Sequence, residues 1–220
     1  DDRRPGGGDE HLGARPRCEL TAAVGAPGAA TASAVPSPPV RVLTRLSFRV
    51  WLAVIGAGAL ALRVGYTLWE QGNEAPAGDA IYFYGQARAV ADGIGFIDPI
   101  LFQAFHLKLQ AAHHPPLYVV YLALMSNVVG TSPQALRLAS CLLGALMVVV
   151  VGLVGRRVAG ERAGLLAAVV AAVYPNLWAN DALLLSEPLY GLLIALVLLC
   201  AYRLWDDPRP REAALLGGAI

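Results

Sequence analysis

The chain has 220 residues, of which 56% are hydrophobic and 15% charged, with a formal net charge of +1. Soluble domains carry about 25% charge, so a soluble globular fold is disfavoured. A near-neutral chain without a basic stripe also argues against nucleic acid as a partner.

Residues 1–40 are rich in Gly, Pro, Ala and Arg, as in Arg4-Pro5-Gly6-Gly7-Gly8 and Pro36-Ser37-Pro38-Pro39, with no apolar period. Such a stretch cannot bury enough surface to offset its ordering entropy and is expected to be disordered. It is too polar for a signal-peptide core. The chain opens at Asp1 rather than Met and closes at Ile220 inside a new apolar run. Both ends therefore read as cut, with further spans expected downstream.

A first membrane span is expected over residues 48–69, preceded by Arg41, Arg45 and Arg49. Tyr66 and Trp69 lie near its far end, where aromatic rings favour the interface. Arg63, near that end, is expected to snorkel outward. Residues 70–133 form a long polar loop. Within it, Asp79 to Asp92 reads as a helix stopped by Gly93, and Pro116 to Val129 as a helix opened by prolines and closed by Gly130. Three more spans are expected over residues 134–155, 163–178 and 188–205, with a fifth starting at 213. Cys18, Cys141 and Cys200 fit neither a metal motif nor a disulfide framework and read as small apolar side chains.

Pro116–Val129 is ambiguous by hydropathy, but as a helix it covers only about 21 Å of a hydrocarbon core of about 30 Å. Charge gives a second test. If the segment does not cross, Arg156, Arg157 and Arg162 fall on the same side as Arg41, Arg45 and Arg49, together with Arg203, Arg209 and Arg211. That arrangement satisfies the positive-inside rule. The segment is therefore expected to be a juxtamembrane helix on the outer face. The N-terminus is then cytoplasmic, and the long loop and the link at 179–187 share the outer side. The fold class expected is all-α, a polytopic transmembrane bundle, with residues 41–220 forming part of one membrane domain.

Several outer residues could carry chemistry, each with a structural alternative. Asp79 either caps a helix or acts as a base beside aromatic side chains, taking a proton from a hydroxyl. His113-His114 forms either a rigid turn or a phosphate contact next to a helix N-terminus. Arg137 either snorkels to headgroups or holds a lipid phosphate. Glu187 either opens a helix before Pro188 or is a second acid at the site, with Asp181 the weaker competitor. Asp92 and Asp98 look like turn residues. No phosphate-binding glycine loop, zinc spacing or nucleophile elbow is present.

The order of short motifs is recognisable. Gly78-Asp79 is followed by His114-Pro115-Pro116-Leu117-Tyr118, Ala135-Leu136-Arg137-Leu138, Gly155-Arg156-Arg157 with Ala163-Gly164, Tyr174-Pro175 and Ser186-Glu187-Pro188. From Arg41 to Ile220 this resembles the N-terminal region of family 39 glycosyltransferases of the GT-C fold. That family includes protein O-mannosyltransferases and the aminoarabinose transferase of lipid A, and the likeness is to its bacterial branch. The resemblance implies a plasma-membrane enzyme with its active site at the outer face. It implies a polyprenyl-phosphate sugar as donor and a lipid, glycan or protein hydroxyl as acceptor. Asp79 matches the proposed base, and many members follow it with Glu where this chain has Ala80. His114 (with His113 beside it), Arg137 and Arg63 would bind the donor phosphate, and Glu187 matches an acidic position of the second outer loop. A divalent metal is left open. The competing functional reading is a transporter or lipid flippase, which should carry charges or helix breaks at mid-span. A membrane scaffold without activity is the third.

Overall fold

The computed structural model describes residues 47–71 and 74–220, all helices and connections. The expectation of disorder over residues 1–40, and the placement of Arg41 and Arg45, lie outside them.

Helix α1 spans Phe48–Tyr66 and widens into a π-helical turn over Thr67–Gln71. Then come α2 (Asp79–Ala91), α3 (Pro99–Phe105) and α4 (Pro116–Val129). Helix α5 (Pro133–Val173) is followed by the short α6 (Pro175–Ala179), a 3-10 turn at Asn180–Leu183, α7 (Glu187–Asp206) and α8 (Pro210–Ala219). Among the described residues, three stretches are long and apolar enough to cross a membrane: Phe48–Glu70, Pro133–Val173 and Glu187–Asp206. The fold is the all-α polytopic bundle that the apolar blocks require.

Helix α5 is two helices in one. Ala159 (φ −140°, ψ 19°) and Gly160 (φ 84°, ψ −179°) leave helical geometry, and the positive φ at the bend suits a residue without Cβ. The chain doubles back there. A Cβ on Gly164 would lie 2.6 Å from the carbonyl oxygen of Gly152, and one on Gly155 would lie 3.0 Å from Cβ of Ala167. The arms, residues 133–158 and 161–173, thus pack along a seam of small residues. Close backbone approach of this kind drives helix association where lipid removes the hydrophobic term. Leu52 of α1 packs into the same seam, against Gly152. Phe48, Leu52 and Ala59 bury against Val148, Ala168, Ala171 and Ala172 of the two arms. On the other side Gly191 of α7 admits Met147, whose Sδ lies 2.6 Å from where a Cβ would stand.

The helices of the long loop share one core with α5 and α7. Tyr118, Val119 and Leu122 of α4 bury against Ala80, Phe83 and Ala87 of α2. The Tyr118 hydroxyl pairs with Ser140 Oγ at 2.7 Å, and Tyr121 donates to the Ala139 carbonyl at 2.7 Å. Burial raises the Tyr118 phenol far above its ordinary range and that of Tyr121 to about 12, so both remain protonated. Fully buried Gln86 staples the loop, its Nε2 donating to the carbonyls of Ile97 (3.1 Å) and Ala111 (3.0 Å). Helix α3 was not anticipated, although Asp98-Pro99 announces it: the Asp98 carboxylate accepts from the backbone N–H of Ile100 and Leu101 at 2.9 Å, and Pro99 opens the helix.

The ends of the bundle differ in charge. At one, the Arg156 guanidinium lies 4.5 Å over the Phe48 ring and Arg157 pairs with Asp206 at 2.7 Å. The start of α1, the bend of α5 and the end of α7 therefore meet among arginines. At the other end, Pro115 and Tyr118 share a groove with Ser186 and Glu187, while Arg137 at the start of α5 shares a cavity with Leu183 and Leu185. The N-terminal turn of α4 and the start of α5 thus both border the 183–190 segment.

Candidate functional site

The cavity at the non-arginine end is about 430 Å³ and is built from three separate segments. Glu74, Gly78 and Asp79 come from the long loop, Arg137 from the first turn of α5, and Leu183 and Leu185 from the link before α7. Its position follows from local sequence. Gly78 adopts φ 59° and lets the extended loop turn into α2, so that Asp79 is the first helical residue rather than the cap. The Asp79 side chain is solvent-exposed and stands one position past the cap. Capping therefore does not account for it.

Arg137 does not snorkel. It is 2% exposed, and its Nη1 donates to the Glu74 carbonyl at 2.9 Å. Its Nε has no hydrogen-bond partner among the described residues. A buried guanidinium with spare donors at a cavity wall is suited to an anion, because charge-assisted bonds to phosphate satisfy planar N–H groups well.

The histidines sit one turn along α2 from Asp79. His114 is half-buried, its ring 4.6 Å from that of Tyr82 and 4.7 Å from that of Phe83. His113 Nδ1 lies 2.7 Å from the Tyr82 hydroxyl. Burial, with a smaller contribution from Asp98, raises the Tyr82 phenol, which therefore stays a donor. Residues 79, 82, 83 and 86 recur at helical spacing on one face of α2, so the aspartate and the histidine pair are borne on that face.

Glu187 is the first residue of α7 and is exposed. It stands at the mouth of a largely apolar groove lined by Pro115, Leu117, Tyr118 and Tyr190, next to the Asp79–Arg137 cavity rather than inside it. The expected convergence of the two carboxylates on one site is corrected to two adjoining recesses. Leu183 and Leu185 wall one of them, and the Glu187 carboxylate opens onto the other.

Arg63 departs most from expectation. Instead of snorkelling, it is fully buried. Its Nε lies 2.6 Å from Asp181 Oδ2, with both side chains 0% exposed. Nη1 reaches the carbonyls of Ala59 (3.2 Å) and Ala172 (3.4 Å). Its charge is taken up by Asp181, inside the protein. Burial pushes the Asp181 carboxyl up, to about 7, against the opposing pull of Arg63. Gly144 makes room for the pair, since a Cβ there would collide with Asp181 Oδ2 and stand 2.7 Å from Arg63 Nε. Gly144→Ala is therefore expected to destabilise the bundle by about 1–3 kcal/mol through overpacking. A lowered melting temperature in detergent, with Gly58→Ala as the uncrowded control, checks this.

Among the described residues, no three His, Cys, Asp or Glu side chains gather into a metal-binding cluster.

A helical bundle with membrane-crossing stretches, carrying a carboxylate and an anion-ready arginine in a cavity at one end, defines a polytopic membrane protein with a surface site. Residues 113–220 match the family model described as dolichyl-phosphate-mannose-protein mannosyltransferase. Over that stretch, just under half of the chain, it is similar to that family, and the match supports a membrane glycosyltransferase of the GT-C type. No curated protein and no solved structure matches the chain.

Proposed function

We propose that the protein transfers a sugar from a polyprenyl-phosphate donor to an acceptor hydroxyl at the extracytoplasmic face of the plasma membrane, and that the Asp79–Arg137 cavity is where this occurs. The observation that carries the reading is that an exposed carboxylate and a buried arginine with an unused donor line one cavity. The end of the bundle away from the arginine clusters supports the outer placement. In this reading Asp79 removes the acceptor proton as the acceptor oxygen bonds to the anomeric carbon. The bond from that carbon to the phosphate oxygen breaks, and its electron pair leaves with the lipid phosphate. Arg137 meets the growing negative charge; fixed charge aimed at a developing anion is often the largest catalytic contribution.

His114, with His113 beside it, borders the acceptor side of α2 and supplies further donors. Glu187 lies next door, at the groove between α4 and α7, where it can orient the sugar or acceptor. Arg63 is reassigned from donor binding to the interior. One displacement at the anomeric carbon gives inversion of configuration. The test is a transfer assay on the complete protein in native membranes, using radiolabelled polyprenyl-phosphate mannose and related donors with extracted envelope acceptors. Labelled product of inverted configuration is expected. Absence of transfer from every such donor would overturn the proposal.

A further inference from the structure

The buried Arg63–Asp181 pair joins several segments of the fold. Arg63 comes from the end of α1, and Asp181 from the 3-10 turn at Asn180–Leu183. Gly144 of the first α5 arm leaves the space, and Ala172 of the second arm accepts from Arg63. Thr67 and Cys141, in contact at 3.3 Å, lie one turn further along α1 and one turn earlier on α5. Four strands of chain therefore meet at one charge pair.

Such a pair is costly to bury, and well-packed apolar residues often stabilise as much or more. Here the contact is incomplete as well as buried. Arg63 Nη2 and Asp181 Oδ1 have no hydrogen-bond partner among the described residues, and the Nε–Oδ2 approach is an ion pair rather than an aligned hydrogen bond. Stability alone does not explain it. Its placement does: two residues past Asp181 the link supplies Leu183, then Leu185, to the wall of the Asp79–Arg137 cavity, and two further on Glu187 opens α7.

We propose that Arg63 and Asp181 are positioning residues that pin the link at 180–187 in register against α1 and α5, setting the cavity wall and the place of Glu187. This rests on the reading of the cavity as the transfer site. A charge pair specifies one register because any slip leaves a buried charge alone, whereas apolar contacts tolerate neighbouring registers.

The test uses the complete protein in a Cys18→Ser background, with spin labels on cysteines introduced at Ala77 and Leu185, which line the cavity from the long loop and from the link before α7. Asp181→Asn and the double variant Arg63→Met/Asp181→Leu are compared with the parent. The double variant leaves no unpaired buried charge and is the form expected to fold if the single one does not. A broadened 77–185 distance distribution in the double variant is expected, with KM for polyprenyl-phosphate mannose raised about tenfold and kcat little changed, the pattern of lost uniform binding. A pair that merely held the fold together would reduce the active fraction at unchanged KM and unchanged distance. Unaltered distances and KM in the double variant would overturn the proposal, and so would failure of that variant to fold. If the parent transfers no sugar but the distances broaden, the transferase reading fails and the pinning role stands.

Discussion

Asp79→Asn is expected to lower the transfer rate by about 10²–10⁴-fold, the usual range for removing a positioned general base. The change is nearly isosteric. The side chain is exposed and stands past the cap position, so helix α2 should fold as before and KM for the lipid donor should move little. The loss should therefore appear in kcat, measured with saturating donor in proteoliposomes at equal amounts of folded protein. Parent-like kcat in this variant would remove Asp79 from the mechanism and leave Glu187, at the adjoining groove, as the carboxylate to examine.

Replacing Arg137 with Ala should be about as damaging, with kcat/KM reduced roughly 10²–10³-fold as for loss of a donor that stabilises a developing anion. Arg137→Lys should recover only part of this, since an ammonium cannot reproduce the planar fork. The head group also holds the Glu74 carbonyl, so part of the effect could reach the loop instead of the phosphate. Inhibition by inorganic phosphate or pyrophosphate separates the two. If Arg137 holds the donor phosphate, the alanine variant should lose sensitivity to these anions as well as rate. Retained sensitivity would restrict Arg137 to fixing the loop.

The helices that make the bundle were legible because each is an uninterrupted apolar run bounded by arginines, prolines or glycines. The polar link at Arg156–Arg162 coincides with the bend inside α5. Its bend at Ala159-Gly160 is sharper than the composition suggests, because helix resumes on both sides at once. The helices of the long loop followed from Gly93, Pro116 and Gly130, while α3 was overlooked even though Asp98-Pro99 is a helix-start signal. The site was only partly readable. Asp79 and Arg137 could be singled out as outer charged residues near apolar spans, but their common cavity depends on the loop reaching back to α5 through Glu74. Arg63 was misread because its distance from the helix end favours snorkelling, and nothing in its local sequence names a partner as remote as Asp181. Gly144 looked like one more small residue in a span. Its role exists only once three segments are brought together.

The two arms of α5 are unequal. Residues 161–173 supply about 20 Å of helix, and Pro175 then starts a separate turn in which Trp178 Nε1 donates back to the Val173 carbonyl. Leu166, Val169, Val170 and Val173 of this arm are exposed, but its 20 Å or so of helix is shorter than a hydrocarbon core of about 30 Å. Wherever this arm meets lipid, the bilayer beside it is expected to thin rather than to expose the turn at Pro175 inside the hydrocarbon.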